Sequence, residues 1–282
     1  MNRSSFISQR PGSGAELRRR AYDGQIFLFE PNTQTHAFVT EAERLMADAF
    51  EPHAPRLAAA HLTNAELFKL SGRIRKHMYS DPTFRSLAVA VIESVGIDPS
   101  VTGLDPARFR TVVPYGHEIP AAAAVYYSHR DTWYADPLAI LNWWIPMHDV
   151  DRTNSFCFFP AYFDQPIKND SEVFNLDEWL AKDDKKLIGW QDPKAGLEAK
   201  YPQGLHEPEG DKLWVECERA SLLVFSGQHL HRTNRQTTEL TRFSVDFRTV
   251  DFADQASGRH PRNVDDRSTG SWKLKYLPAA DD

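Results

Sequence analysis

Seven short runs of β-branched and aromatic residues, all beyond Asp105-Pro106, constrain the fold more than any other feature of this chain. They run from Phe109 to Pro114, Ala122 to Ser128, Ile140 to Pro146, Ser155 to Phe159, Leu213 to Cys217, Ser221 to Ser226 and Arg242 to Val250. Turn-forming residues separate most of them, at Pro114-Tyr115-Gly116, Ala135-Asp136-Pro137, Asp151 to Asn154 and Ser226-Gly227. A parallel pair needs a crossover helix, and most of these gaps are too short to hold one. The pattern predicts an antiparallel sandwich or barrel.

The first hundred residues follow a different rule. Gln25 to Phe29 reads as a strand leaving the Asp23-Gly24 turn, and Pro31-Asn32 ends it. Apolar residues at helical spacing predict three helices. The first runs from about Thr40 to Phe50 with Thr40 and Glu43 as a capping box, the second from Asn64 to Tyr79, and the third from Pro82 to about Val95, stopped by Gly96. Residues 1–20, rich in Ser, Gly, Arg and Gln, read as a mobile start. Residues 164–211 interrupt the strands with one short helix near Leu176 to Lys182 and a polar stretch containing Pro193, Gly196, Pro202 and Gly204. An insertion of that length often serves as a lid or substrate loop. No linker divides the helical part (about 20–100) from the β part (about 105–250), so residues 1–282 are expected to form one domain with helices outside a β core.

Charge and cysteine usage exclude several function classes. A formal net charge of -6 argues against a nucleic-acid surface, which needs a basic field. The basic run Arg18-Arg19-Arg20 reads as solvated surface. Cys157 and Cys217 cannot build a disulfide framework and read as small buried residues in a reducing compartment. The N-terminal residues lack the apolar core of a signal peptide, and no apolar run reaches the length of a membrane span. A cytoplasmic protein without nucleic-acid or membrane partners is expected.

Chemistry concentrates where apolar runs end in polar residues. Ala121 to Tyr134 reads A-A-A-A-V-Y-Y-S-H-R-D-T-W-Y. On an extended backbone alternate side chains share a face, so His129 and Asp131 would point the same way. By itself His-x-Asp is a common triplet, equally suited to a core-edge histidine held by an acid. A second run, Leu222 to Ser226, leads into Gly227-Gln228-His229-Leu230-His231 and mirrors the first. The third, Arg242 to Arg248, alternates polar with apolar residues and places Arg242, Ser244, Asp246 and Arg248 on one face. Inside a barrel, an arginine on that face must find an anion. Two histidines and one carboxylate on one face of a metal are the ligand set of non-haem Fe(II) oxygenases. His229 and His231 have the same strand parity, so alternation does not choose between them.

The order His129-x-Asp131, then His231, then Arg242 eleven residues on resembles the Fe(II)/2-oxoglutarate-dependent dioxygenases. It looks most like their phytanoyl-CoA-hydroxylase-like branch, whose N-terminal part is similar to Asp23-Gly24-Gln25-Ile26-Phe27-Leu28 and the helices after it. The resemblance spans roughly residues 20–250 and implies a double-stranded β-helix (jelly-roll) core flanked by N-terminal helices. It implies Fe(II) held by His129, Asp131 and His231, with Arg242 and Ser244 on the distal carboxylate of 2-oxoglutarate and O2 at the remaining position. The family's spacing between distal histidine and arginine favours His231, leaving His229 beside the site or the substrate. The implied reaction decarboxylates 2-oxoglutarate to succinate while an unactivated C–H bond of a metabolite is hydroxylated, desaturated or cyclised, as in specialised biosynthesis. Related halogenases carry a small residue where Asp131 stands, so an acid there argues against chlorination.

Further candidates surround this set. Asn142 and Tyr127 would face 2-oxoglutarate or make structural hydrogen bonds. Thr132, Trp133, Tyr134 and Trp144 would wall the substrate, and Arg248 would take a substrate anion or pair internally with Asp246. His117, His148 and His206 have no ligand spacing and read as surface or loop histidines. Two other functions fit the same residues: an iron oxygenase that uses no 2-oxoglutarate, and a non-catalytic, cupin-like jelly roll that binds a ligand through its histidines.

Overall fold

The computed structural model describes residues 5–181 and 201–280. Its large sheet has the strand order β1 (Phe6–Ile7), β2 (Ile26–Phe29), β7 (Leu222–Ser226), β4 (Ile140–Pro146), β9 (Arg242–Asp251), β3 (Thr102–Val112), β10 (Leu277–Pro278). A small sheet pairs β6 (Leu213–Trp214), β5 (Phe156–Phe158) and β8 (His231–Thr233). Every pairing is antiparallel except β1 with β2.

Alternation gives the large sheet two different faces. Trp143, Ile145, Phe243, Val245 and Phe247 point outward into one apolar cluster with the helices α1 (Gly14–Tyr22), α2 (Thr33–Phe50), α3 (Asn64–Ser80) and α4 (Pro82–Glu93). Phe38 of α2 stacks on Phe247 at 6.2 Å, and Phe50 meets Phe243 edge-on at 5.8 Å. Truncating such a ring costs about 3–5 kcal/mol, so this layer holds helices and sheet together. The inner face carries Trp144, Leu223 and Phe225, which pack with Phe156 and Phe158 of the small sheet. Two antiparallel sheets therefore face each other, with helices on the outside of the larger, as the strand pattern predicts.

One irregularity shapes the interior. Between Asp105 and Arg108 the register of β3 against β9 shifts, so three steps on β3 match two on β9. Pro106 sits there, where a missing N–H costs no ladder bond. The extra residue reverses the parity and brings Asp105, Arg108 and Arg110 to the inner face opposite Arg248, Asp246 and Ser244.

Several expectations need correction. No strand forms over Ala122–Ser128: Pro120–Tyr126 is a 3₁₀ turn, because Pro120 at its first position and a run of alanines favour helical backbone over extended. Helix α2 starts at Thr33 and not Thr40. Asn32 accepts from the N–H groups of Gln34 and Thr35, while Glu43 pairs with Arg219 at 2.6 Å. Residues 14–22 are helical, and only Arg19 of the basic run is exposed: Arg18 pairs with Asp251 and Asp254, and Arg20 with Glu16 and Gln25. His148 is buried; its Nε2 accepts from the N–H of Phe243 at 3.1 Å and its Nδ1 donates to the carbonyl of Asp149 at 2.9 Å. The strand expected over Leu213–Cys217 spans two residues. In the 164–211 interval α5 is Leu176–Ala181; the expected Lys182 end and residues 183–200 lie outside the described residues. A last helix, α6 (Phe252–Ser257), follows β9. No helix among the described residues is long and apolar enough to cross a membrane.

Two measurements check this layer. Asn32→Ala should lower the urea unfolding free energy by about 1 kcal/mol, whereas Thr40→Ala, on an exposed turn, should change it by less than about 0.5 kcal/mol. Burial pushes the His148 imidazole from 6.5 down to about 4, so the unfolded chain binds its proton first. Its contribution is complete above pH 6.5 and declines as pH falls towards 4. His148→Gln should flatten that acid limb by up to roughly 3 kcal/mol relative to the wild-type chain.

Candidate metal centre

The two candidate histidines are cross-strand neighbours. His129 donates its N–H to the carbonyl of His231 and receives the N–H of His231 in return, both at 3.0 Å. Residues paired in this way put their side chains on one face, and the two rings lie 4.4 Å apart. One short antiparallel bridge thus joins positions 102 residues apart in the chain. Asp131 follows at the start of a 3₁₀ turn, its N–H bonded to the carbonyl of Gly227 at 3.0 Å. A side chain at Gly227 would force Ile140 to shift: a Cβ there would stand 2.3 Å from Ile140 Cδ1. Between the two candidate ligands, fully buried Arg130 points away from them. It binds Asp265 at 2.9 Å and the carbonyls of Gln228, Tyr162 and Gln165, clamping the loop from behind.

One donor atom each from His129, Asp131 and His231 lies within 4.8 Å of the others. The surrounding bonds suit these atoms to a divalent ion. His129 Nδ1 contacts the carbonyl of Tyr127 at 2.9 Å and His231 Nδ1 that of His229 at 3.0 Å. Carbonyls only accept, so both Nδ1 atoms carry a proton and Nε2 is the ring atom each histidine can offer to a metal. Burial, then the neighbouring His231, pushes the His129 imidazole down to about 4, so the ring is neutral at physiological pH. Asp131 Oδ2 stands 3.8 Å from His231 Nε2, while Oδ1 is held by Arg248. Burial alone would raise the Asp131 pKa, but the Arg248 guanidinium outweighs it and keeps the carboxyl well below its usual range. A histidine pair that presents Nε2 beside a fixed carboxylate fits the non-haem iron ligand set.

A cavity of about 260 Å³ opens from these three residues. Asn142 and Trp144 of β4, and Arg242, Asp246 and Arg248 of β9, line it together with Tyr134. Arg242 is 4% exposed and donates to Ser244 Oγ at 2.8 Å; its charge lies 5.9 Å over the Trp144 ring. Burial lowers its pKa to about 10. Its Nε has no hydrogen-bond partner, and no carboxylate among the described residues pairs with it. Asn142 gives its oxygen to Arg248 at 3.0 Å, and its Nδ2 is likewise without a partner.

Other predicted residues lie elsewhere. His229 is buried among Phe158, Phe163 and Phe225, away from the cavity: it sits in the turn before β8, so strand parity does not extend to it. Tyr127 offers its carbonyl to His129, and its side chain does not line the cavity. Thr132 and Trp133 are fully buried and do not line the cavity; Trp133 Nε1 donates to Asp265 at 2.8 Å. Ser244 holds Arg242 from beside the cavity wall. Arg248 does not pair with Asp246, which binds Arg110; its fork spans Asp131, Asp136 and Asn142. Sequence reasoning missed Arg75, Arg108, Arg110 and Lys275, as well as the aromatic wall of Phe174, Trp179 and Tyr201. Arg110 was within reach through the alternation of Phe109 to Pro114, and Arg108 precedes that run at the same parity; Asp105 was not, because the bulge between Asp105 and Arg108 reverses its parity.

No protein-family model and no curated protein matches this sequence. Solved structures with a similar course include EvdO2 from Micromonospora carbonacea var. aurantiaca complexed with 2-oxoglutarate, at 10% identity and a TM-score of 0.48, covering 87% of this chain and 94% of that one. HygX from Streptomyces hygroscopicus, with nickel and 2-oxoglutarate bound, shares 16% identity at a TM-score of 0.41, covering 86% and 91%. The non-heme alpha ketoglutarate dependent carbocyclase SnoK from nogalamycin biosynthesis shares 11% at 0.42, covering 92% and 96%. At TM-scores below 0.5 the functional reading stands on this chain's own geometry.

The role of Arg248 is open to direct test. Arg248→Lys keeps the charge but cannot reach Asp131, Asp136 and Asn142 together, and should weaken Co(II) binding by roughly tenfold in calorimetric titration. Unchanged affinity would mean that Arg248 does not orient Asp131.

Proposed function

We propose that this protein is a non-haem Fe(II)/2-oxoglutarate-dependent oxygenase that oxidises an unactivated C–H bond of a small metabolite. One observation carries the reading: two Nε2 atoms and a carboxylate oxygen converge on a cavity whose wall also holds Arg242, a buried guanidinium with no carboxylate partner among the described residues. A buried arginine is costly without an anion. An oxygenase that uses no 2-oxoglutarate has less need of one at that place, and stoichiometric affinity for Fe(II) separates the reading from a binding module.

In this reading His129, Asp131 and His231 hold the ion, and Arg248 fixes which oxygen of Asp131 faces it. Arg242, braced by Ser244, receives the distal carboxylate of 2-oxoglutarate through charge-assisted hydrogen bonds. The unpartnered Nδ2 of Asn142 supplies a further donor on the same wall. When bound, Fe(II), 2-oxoglutarate and O2 supply the oxidation, with succinate and CO2 as co-products. The chain's contribution is to position the target carbon and exclude water, which Tyr134, Trp144, Phe156 and Phe174 do from the cavity walls. The order of ligands and Arg242 is also that of the phytanoyl-CoA-hydroxylase-like branch, and the two free thiols suit a cytoplasmic setting.

Anaerobic addition of Fe(II) and then 2-oxoglutarate should produce the visible charge-transfer absorption of the chelate. Asp131→Ala should abolish it together with succinate release. Arg242→Met should leave Fe(II) binding intact and raise the half-saturating 2-oxoglutarate concentration by about 10- to 100-fold. Full turnover in the Asp131 variant would refute the ligand assignment.

A further inference from the structure

The turn that carries Asp131 does not sustain itself. It is a 3₁₀ turn of four residues, Asp131–Tyr134, with no side-chain cap at its start. It leaves through Ala135 at φ 54°, a left-handed backbone that is strained in a residue with a Cβ. One short turn of this kind is unstable alone, so distant contacts must hold it. Residues 265–276 supply such contacts. Ser268 Oγ accepts the N–H of Ala135 at 2.8 Å. Asp136, the next residue, takes the ammonium of Lys275 and the hydroxyl of Tyr276, the latter at 2.9 Å.

Asp265 makes the tightest of these connections. Its Oδ1 accepts from Arg130 Nε at 2.9 Å and from Trp133 Nε1 at 2.8 Å. Its Oδ2 accepts from Arg130 Nη2 at 3.2 Å and from the N–H of Ile167 at 2.9 Å. The Asp265 side chain is 4% exposed and that of Arg130 fully buried. One carboxylate thus grips the residue before the turn and a residue inside it, with Asp131 between the two in the chain. The same guanidinium reaches the segment that leads to His231: its Nη1 donates to the carbonyl of Gln228, next to Gly227, whose carbonyl takes the N–H of Asp131. Backbone carbonyls accept from Arg130 but do not balance its charge, and Asp265 does.

We propose that Asp265 is a positioning residue of the metal centre: through Arg130 and Trp133 it sets the backbone of the Asp131 turn, and with it the place of the Asp131 carboxylate beside the two imidazoles. This rests on the assignment of His129, Asp131 and His231 as ligands and adds the group that holds their segments together from behind. Arg248 fixes which oxygen of Asp131 faces the ion, whereas Asp265 fixes where the chain bearing that carboxylate stands. A ligand ordered before the ion arrives binds it more tightly and in one geometry.

The test is Co(II) binding to the full chain, followed by calorimetry and by the d–d absorption of the bound ion at saturation. Asp265→Asn keeps the shape and one acceptor oxygen but removes the charge. It should weaken Co(II) binding by about tenfold and change the positions and intensities of the bands in the saturated protein. A chain that had only lost stability would show wild-type bands once saturated, so the spectrum separates positioning from support. Arg267→Ala, which removes the bonds to Glu172 and to the carbonyl of Asn169, should leave the bands unchanged and the affinity within about twofold. Should Asp265→Asn not fold, Trp133→Phe deletes one bond to Asp265 and leaves the ion pair; it should weaken binding by about threefold, with altered bands. Wild-type affinity and bands in the Asp265 variant, or in the Trp133 variant where it stands in, would overturn the proposal, as would an equal loss in Arg267→Ala. Failure of the wild-type chain to bind Co(II) would strike the ligand assignment itself, and the proposal with it.

Discussion

The contact on which the candidate site depends is the hydrogen bond from the Arg248 guanidinium to Asp131. A carboxylate in a dry interior is unstable unless its charge is matched, and left alone it would take up a proton and stop being a ligand. Arg248 keeps it ionised, occupies Oδ1 and leaves Oδ2 for the space between the two imidazoles. Asn142 fixes the Nε of that arginine, and Asp136 balances its remaining charge. Asp136 in turn meets Lys275 and Tyr276 near the C-terminus, so the geometry of Asp131 is tied to a network running from β4 through β9 to the last described segment. Breaking one member of such a network leaves an uncompensated buried charge, which is why it behaves as a unit.

Around this point the fold divides its labour. The outer face of the large sheet, filled with Phe and Trp, binds the helices and supplies stability. The inner face trades that apolar packing for arginines and aspartates, a costly choice that a purely structural sandwich would avoid. The small sheet contributes little area but makes the decisive connection, since the bridge between His129 and His231 lies at its edge. The polar interior is arranged along strands, Asp105, Arg108 and Arg110 on β3 beside Arg242 to Arg248 on β9, so the spacing of its charges is set by the ladder and not by mobile loops.

Much of the site was legible because chemistry and alternation pointed the same way. His231 begins a strand, Arg242 and Ser244 alternate along one, and His129 lies in the bridge just before the turn that starts at Asp131; the structure brings all of them to the lining of one cavity or, for Ser244, just behind its wall. Alternation failed wherever the backbone left the extended state. His229 shares parity with His231 on paper but lies in a turn, and the bulge at Pro106 reversed the faces of β3. The apolar run before His129 looked like a strand, yet alanines after a proline prefer a 3₁₀ turn; the two histidines still meet because only the residue at 129 needs to pair. Partners distant in sequence, such as Asp136 for Arg248 and Phe243 for His148, leave no local signal at all.

The central claim is that two imidazoles and one carboxylate from this chain grip a single ion. X-ray absorption of the anaerobic Fe(II)-loaded protein reads that first coordination shell directly. The account predicts one iron per chain with two imidazole scatterers, the count staying at two when 2-oxoglutarate displaces other oxygen ligands. Iron that fails to bind stoichiometrically, or a shell with fewer than two imidazoles, would contradict it.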